Sequence, residues 1–200
     1  MKNKKSTFPI MTASTGTNAD LMPKVVEMYL KEGDIVADVS YGKGVFWRNV
    51  DTSIYDFRPT DLIGGVDFCD LPYNDGEIDA VILDPPYMHG GATVKESINM
   101  CYRNKNTSHE SVVRLYALGI IEASRVLKKK GRIFVKTQDE IESGKQRWTH
   151  CELMSLLDVL GFKLLDMFLL TQATTPAMRE KYQKTARKNH SYMIVAEFRR

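Results

Sequence analysis

The chain has 200 residues, of which 43% are hydrophobic and 26% are charged, a composition that is typical of one globular domain with its own core. The net charge of +3 does not by itself demand a polyanionic partner, and no stretch approaches the roughly 20 apolar residues of a membrane span. Three cysteines stand far apart without a CxxC pair, so we expect reduced thiols rather than a zinc site or a disulfide framework. These features predict a cytoplasmic protein with no metal and no membrane association.

The first half of the chain predicts one helix and four short strands. The helix covers about 18–32, with Thr17 or Asn18 as its cap and Gly33 at its end. An apolar strand over 35–39 then runs into the glycine turn "YGKG". Further strands are predicted at 53–57, 63–68 and 80–83.

The second half alternates helices and strands after a long loop. Residues 88–110 are rich in Gly, Asn, Ser and Thr without a steady period, and loops of this length are usually functional or disordered. An amphipathic helix over 111–131 follows, then a strand over 132–137 and a helix over 150–162. The last two strands, 163–172 and 191–198, are separated by a basic connection, 172–190.

This order of elements predicts an α/β fold. Strands that alternate with helices form a mostly parallel sheet covered on both faces. The last two strands have no helix predicted between them, so we expect an antiparallel hairpin at one edge. We expect a basic N-terminal tail over 1–14 and a single domain over 15–200.

The strand ends carry the candidate ligand-binding residues, because ligands of such sheets bind at the carboxyl ends of the strands. After the first strand, "DVSYGKG" combines a carboxylate acceptor with glycines that let the backbone turn and approach a ligand. The third glycine of the dinucleotide fingerprint is missing, which disfavours NAD and FAD. The residues of this turn that we assign to ligand binding are Asp38, Ser40, Tyr41, Gly42 and Gly44.

Two more acidic stretches follow the next predicted strands. Asp56 lies 18 residues beyond Asp38, close to the offset of about 20 residues at which an acid meets a ribose hydroxyl in nucleotide-binding units. Asp61 is a rival for that role. At the end of the third predicted strand, Asp67 and Phe68 are candidates for the amino group and the face of an adenine.

The fourth strand ends on Asp84-Pro85-Pro86-Tyr87, where proline stops the ladder of backbone hydrogen bonds. With the glycine turn upstream, this motif resembles the class I S-adenosylmethionine-dependent DNA amino-methyltransferases of the N6-adenine/N4-cytosine type, in their small phage- or prophage-like form. The resemblance runs from about Thr15 to Phe198. It implies a Rossmann-like class I methyltransferase fold with a mostly parallel seven-stranded sheet and S-adenosyl-L-methionine as cofactor.

The resemblance also implies roles for the four motif residues. The Asp84 carboxylate and the Pro85 carbonyl would accept the N–H bonds of an exocyclic amino group, with Asp84 also facing the cofactor. Pro86 would stiffen the turn, and Tyr87 would stack on a base extruded from the duplex. The methyl group would move directly to nitrogen, and no cysteine follows a proline as C5-cytosine enzymes require.

Basic residues near the C-terminus are candidates for contact with nucleic acid. Residues 171–200 contain seven basic residues against two acidic ones, a pattern that suits phosphate contacts and also an ordinary solvated face. The residues assigned to nucleic-acid binding are Lys136, Arg179, Lys184, Arg187 and Lys188. Lys136, at the end of the fifth predicted strand, could instead shape the pocket. Because the chain has no room for a large target-recognition domain, we expect 88–110 and 172–190 to face the substrate, and a homodimer stays open.

The leading hypothesis is a DNA adenine-N6 methyltransferase, since aspartate opens the motif. The alternatives are an N4-cytosine DNA methyltransferase, an RNA base N-methyltransferase and an inactive methyltransferase-like partner subunit. The sequence does not reveal the target sequence or whether a restriction-modification partner exists.

Overall fold

The computed structural model describes residues 9–85, 108–172, 185–186 and 188–199. The strands are β1 Ala13–Thr15, β2 Ile35–Asp38, β3 Asp56–Pro59, β4 Ile78–Leu83, β5 Leu127–Thr137, β6 Glu140–Glu142, β7 Lys145–Arg147, β8 Phe162–Thr171 and β9 His190–Phe198. The α-helices are α1 Asn18–Tyr29, α2 His109–Val126 and α3 Thr149–Val159. Short 3-10 turns cover Val45–Trp47 and Thr52–Ile54.

Seven strands form the main sheet in the order β1-β8-β9-β5-β4-β2-β3. Each neighbouring pair is parallel except those of β9, which runs antiparallel to both β5 and β8. The predicted mostly parallel sheet with an antiparallel C-terminal hairpin is therefore confirmed. The edge beyond the hairpin is β1, which takes up Ala13 and Ser14 from the segment predicted as a tail.

Helices cover both faces of the sheet. Alternate residues of a strand point to opposite faces, and β4 shows this directly. Val81 and Leu83 pack with residues of α2 and α3 in one core cluster. Ala80 and Ile82 pack with residues of α1 in the other. The carboxyl ends of β2, β4 and β5 thus sit between two apolar layers that fix their positions.

The strand predicted over 63–68 is not formed, because turn chemistry outweighs the apolar residues there. The backbone N–H of Gly64 donates to Asp61 Oδ1 at 2.7 Å. Gly65 has φ +89°, a left-handed conformation outside the extended region. Ile63 is 81% exposed, whereas a central strand would bury it.

The strand predicted at 53–57 corresponds to β3, which begins later, at Asp56. The Asp51 carboxylate accepts hydrogen bonds from the Ser53 backbone N–H at 3.1 Å and from the Ser53 hydroxyl at 2.6 Å. These bonds stabilise the 3-10 turn Thr52–Ile54, so β3 starts only at Asp56. The shift changes which acid follows the strand.

Two further features complete the fold. Beyond β5 the chain forms the β6–β7 hairpin, in a stretch for which no strands were predicted. Within the described ranges, no helix combines the length and apolar character that crossing a membrane requires.

Candidate active site

The carboxyl ends of three neighbouring parallel strands bring charged side chains to one edge of the sheet. Asp38 pairs with Ile82, and Leu83 pairs with Val135. Asp38 ends β2, Asp84 directly follows β4 and Lys136 lies near the end of β5. Ligands bind at such edges, so these strand ends define the candidate active site.

Asp38 is buried in the site and accepts hydrogen bonds from the turn that follows β2. It is 1% exposed, and its Oδ2 accepts a 2.6 Å hydrogen bond from the Trp47 indole Nε1. Its Oδ1 accepts from the Ser40 backbone N–H at 3.1 Å. Burial raises the pKa of Asp38 to about 6, although the hydrogen bonds from Trp47 and Ser40 act in the opposite direction. Asp38 therefore shapes the turn after β2 rather than presenting a free carboxylate to a ligand.

Ser40 connects that turn to the end of β4. Its hydroxyl oxygen accepts a 2.7 Å hydrogen bond from the backbone N–H of Asp84. The Val39 N–H donates to the Ile82 carbonyl at 3.1 Å just before it. Proline at 85 and 86 offers no backbone N–H, so this side-chain contact fixes the place where the ladder stops.

The glycine turn combines an open backbone position with a tightly packed one. Gly42 and Gly44 have φ +53° and +63°, a conformation in which glycine is favoured. A Cβ on Gly44 would lie 2.5 Å from the Tyr41 hydroxyl oxygen, whereas one on Gly42 would meet its nearest atom only at 3.9 Å. The Tyr41 ring in turn packs edge-on against Phe57, with ring centroids 5.9 Å apart. The exposed backbone at Gly42 is thus the part of the turn that a ligand can approach.

Asp84 carries a carboxylate oxygen without a donor. Its Oδ1 is buried and accepts no hydrogen bond from the described residues. Burial raises the pKa of Asp84 to about 7; the positive charge of Lys136 opposes this rise, and the negative charge of Asp38 adds to it. Buried polar atoms normally have partners. Among the buried side-chain atoms of the described chain that lack one, Asp84 Oδ1 is the one carboxylate oxygen, which makes it a candidate functional acceptor.

Lys136 does not lie on the surface, where a phosphate ligand would be expected. Its side chain is 2% exposed, and its ammonium donates to the Ser191 hydroxyl of β9. Burial lowers the pKa of Lys136, while the charge of Asp84 raises it. This burial argues against direct contact of Lys136 with nucleic acid and places the side chain inside the site.

The assignment of Asp56 to a ribose is also corrected. Asp56 begins β3 and pairs with Ile35, at the amino ends of the strands, and its carboxylate binds Arg58 at 2.9 Å. Asp61 instead follows the carboxyl end of β3, where Thr60 donates its N–H to the Asp38 carbonyl at 2.8 Å. Asp61 also adds its negative charge to the surroundings of Asp38. The rival acid is the one at the site edge.

Asp67 and Phe68 have structural roles in the described chain. Asp67 Oδ1 accepts from the Cys69 N–H at 2.9 Å, which closes a local turn. Phe68 is buried in the core shared with α2, and a Cβ on Gly119 would lie 2.9 Å from its ring. The Phe68 ring is therefore not placed to pack on an adenine, whereas Asp67 is exposed and its contact with an adenine amino group stays a prediction.

Several predicted site residues lie outside the described ranges: Pro86, Tyr87, Arg179, Lys184 and Arg187, together with most of 88–110 and 172–190. Pro85 is described and buried. Lys188 is described as well, and its Nζ stands 4.5 Å from the ring centroid of Trp148. Trp148 is 53% exposed, so this pair forms a cationic and aromatic surface at the start of α3.

A polar cluster beyond β5 was not predicted. Asp139 is buried, and His150 Nδ1 stands 2.7 Å from its Oδ1. The His150 ring stacks on Tyr192 with centroids 4.2 Å apart, and Tyr192 pairs with Thr137 at the end of β5. These residues anchor α3 against the sheet. The pattern "QD" followed by "TH" is too common to indicate such a contact.

Within the described ranges, no group of His, Cys, Asp and Glu side chains is arranged to hold a metal ion.

We compared the sequence and the structure of the chain with those of known proteins. No protein-family profile matches the chain, and no curated protein sequence matches it significantly. Among solved structures, a candidate methyltransferase from Bacillus halodurans has a TM-score of 0.55 at 14% identity, over 90% of this chain and 99% of that one. The 1,6-didemethyltoxoflavin-N1-methyltransferase of Burkholderia thailandensis, solved with S-adenosylhomocysteine, has a TM-score of 0.53 at 12% identity, over 92% and 79%.

A DNA-modifying enzyme is similar as well. PvuII DNA methyltransferase, which is cytosine-N4-specific, has a TM-score of 0.50 at 13% identity over 66% of this chain. The chain spans about half the length of the first DNA methylase chains that it matches, 47% in the case of PvuII. These likenesses show that the chain has the Rossmann-like class I methyltransferase fold. Because one fold hosts many reactions, the activity must be argued from the site.

Proposed function

We propose that the chain is an S-adenosylmethionine-dependent methyltransferase that modifies the exocyclic amino group of a nucleic-acid base, with adenine N6 in DNA as its substrate. The observation that carries the proposal is the buried Oδ1 of Asp84 at the carboxyl end of β4, which accepts no hydrogen bond from the part of the chain that the structure describes. It stands at the ligand-binding edge of a fold shared with methyltransferases.

A buried acceptor that stays unsatisfied is destabilising by about 1–3 kcal/mol. Since no described residue donates to Asp84 Oδ1, this oxygen is available to a substrate N–H in the proposed complex. An exocyclic amino group has two N–H bonds and a lone pair delocalised into the ring. Asp84 Oδ1 would accept one N–H, and the Pro85 carbonyl is placed next in sequence to accept the other. Acceptors held in this way favour a tetrahedral nitrogen, whose lone pair is available for bond formation.

The turn after β2 supports the proposed cofactor. S-adenosylmethionine supplies the methyl group as a sulfonium. Gly42 leaves the backbone accessible, and Asp61 brings a carboxylate to the same edge at the end of β3. The Asp84 oxygen to which no described residue donates lies just beyond the end of β4. These residues fit a ligand with an amino group, hydroxyls and a positive charge.

The nucleic-acid part of the proposal is supported by the surface at the start of α3. Exposed aromatic rings stack on bases, and Trp148 presents its ring beside the ammonium of Lys188. Lys188 belongs to the basic stretch near the C-terminus, where clustered positive charge favours phosphate binding. The surface is built next to the α3 anchor formed by His150 and Tyr192.

A methyl-acceptor screen tests the proposal. Purified protein is incubated with cofactor labelled in its methyl group and, separately, with double-stranded DNA, single-stranded DNA and RNA. Digestion and mass spectrometry then identify the modified nucleoside. We expect N6-methyladenine in DNA. N4-methylcytosine or a methylated RNA base would correct the substrate, and cofactor binding without transfer to any polymer would overturn the proposal.

A further inference from the structure

We propose that Lys136 is a positioning residue for this transfer, because it is buried next to the end of β4 and its ammonium favours the ionised form of Asp84, which accepts the substrate N–H. The effect of Lys136 on methyl transfer rests on the proposed function, whereas its effect on the charge of Asp84 follows from the described residues alone. Leu83 pairs with Val135 across β4 and β5. Asp84 and Lys136 each come directly after this pair, Asp84 just beyond the end of β4 and Lys136 within β5.

The position of Lys136 is built into the sheet. Its side chain is among the largest fully buried ones of the chain, its ammonium donates to Ser191, and its carbonyl accepts a 2.7 Å hydrogen bond from the Tyr116 hydroxyl of α2. A buried lysine is costly unless it is paired. An apolar residue of similar size would fill this place without the cost of burying a charge. The buried ammonium therefore points to an electrostatic role.

The groups that face Asp84 from neighbouring strands have opposite effects. Asp38 from β2 disfavours a second negative charge, and burial acts in the same direction. In the described chain, Lys136 from β5 is the charge that favours the ionised form. Without it, Asp84 would be protonated over more of the neutral range. A protonated carboxyl presents a donor where the substrate amino group also presents donors.

The first test measures the charge state of Asp84 without any substrate. The carboxyl carbon of Asp84 is followed by NMR against pH, and its signal is assigned by its loss in Asp84→Asn. We expect the midpoint to rise by about one pH unit or more in Lys136→Met and in Lys136→Gln, because an opposite charge nearby shifts a carboxyl by about 1–3 units. Lys136→Arg should keep the midpoint close to that of the unchanged chain.

Controls separate this effect from a general loss of charge or of folding. Lys129→Met removes an exposed lysine from the same strand and should leave the midpoint unchanged. Thermal melting shows which variants fold, and the glutamine variant serves if the methionine variant does not. An unchanged or lowered midpoint in a folded, neutral Lys136 variant would overturn the inference.

The second test uses activity. In Lys136→Met the acid limb of the kcat profile should move to higher pH by the same shift, and Lys136→Arg should restore its place. The salt dependence of DNA binding should not change, because the ammonium is buried. A flattened salt slope would instead make Lys136 a phosphate ligand and overturn the inference. If the unchanged protein transfers no methyl group at all, the proposed function fails, while the NMR titration still decides the role of Lys136.

Discussion

The hydroxyl of Ser40 accepts a 2.7 Å hydrogen bond from the backbone N–H of Asp84. This bond joins the turn after β2 to the residue that directly follows β4. Since Ser40 also donates its backbone N–H to Asp38 at 3.1 Å, one residue couples both acids of the site. The cofactor side and the acceptor side of the proposed reaction are thus held in one frame.

Ser40→Ala should lower kcat more than it lowers cofactor affinity. The change removes the acceptor for the Asp84 N–H, and a hydrogen bond of this kind is worth about 1 kcal/mol. We expect kcat to fall about fivefold, with cofactor Kd changed by less than about twofold. Single-turnover rates and isothermal calorimetry measure the two quantities. Ser155→Ala, on the exposed face of α3, is the control, and a change in Kd alone would contradict the coupling.

Gly44→Ala should weaken cofactor binding far more than Gly65→Ala. Both glycines have left-handed φ, +63° and +89°, so both substitutions carry backbone strain. A Cβ on Gly44 would also displace Tyr41, whose hydroxyl oxygen it would approach to 2.5 Å, whereas a Cβ on Gly65 meets nothing within 4 Å. We expect a loss in cofactor affinity of at least about tenfold for Gly44→Ala. Equal affinities for the two variants, measured by calorimetry, would show that the packing of Tyr41 on this turn does not matter.

The stability of the chain should depend on pH through His109. Its ring nitrogens stand 2.9 Å from Glu140 Oε1 and 2.9 Å from Glu152 Oε1. Burial opposes protonation, but the hydrogen bonds to the two carboxylates outweigh it and raise the pKa of His109. A raised pKa means that the protonated ring stabilises the fold below the unfolded value of about 6.5, and that this contribution is lost as pH rises through the folded value.

Urea denaturation of the unchanged chain and of His109→Gln at pH 6 and pH 9 measures this effect. The difference in the free energy of unfolding between the two should be larger at pH 6. His190→Gln, whose ring has the Tyr192 hydroxyl at 2.9 Å, controls for loss of a histidine. A difference that grows towards pH 9 would contradict the assignment of His109 as a protonated link between α2, β6 and α3.

Neutralising Lys184, Arg187 and Lys188 together should weaken DNA binding and flatten its dependence on salt. Each phosphate that the protein no longer neutralises reduces the slope of log K against log salt by about 0.9. Titration by fluorescence anisotropy at several salt concentrations gives the slope. Lys163, exposed on β8, is a suitable position for a control substitution. An unchanged slope would mean that the basic stretch is a solvated face.

The extent of prediction from sequence differs between residues. The end of β2 is predicted almost to the residue by the apolar run before Asp38. The end of β4 is predicted by the diproline after Asp84, because proline has no backbone N–H with which to continue the sheet. Asp56 was misplaced because the side chain of Asp51 holds a turn that delays β3. The link from Trp47 to Asp38 depends on how the glycine turn folds, which spacing does not reveal. A lysine near a strand end indicates a surface charge by default, so the burial of Lys136 emerged only from the packed sheet.

Asp84 has the central role in the proposed reaction, as the acceptor of the amino group of a nucleic-acid base. Single-turnover methyl transfer to DNA by the unchanged chain and by Asp84→Asn, with the product nucleoside identified by mass spectrometry, tests it most directly. We predict N6-methyladenine from the unchanged chain and a rate at least about 100-fold lower from Asp84→Asn, with cofactor affinity nearly unchanged. A full rate of transfer from Asp84→Asn, or a methyl group on a ring carbon, would contradict the claim.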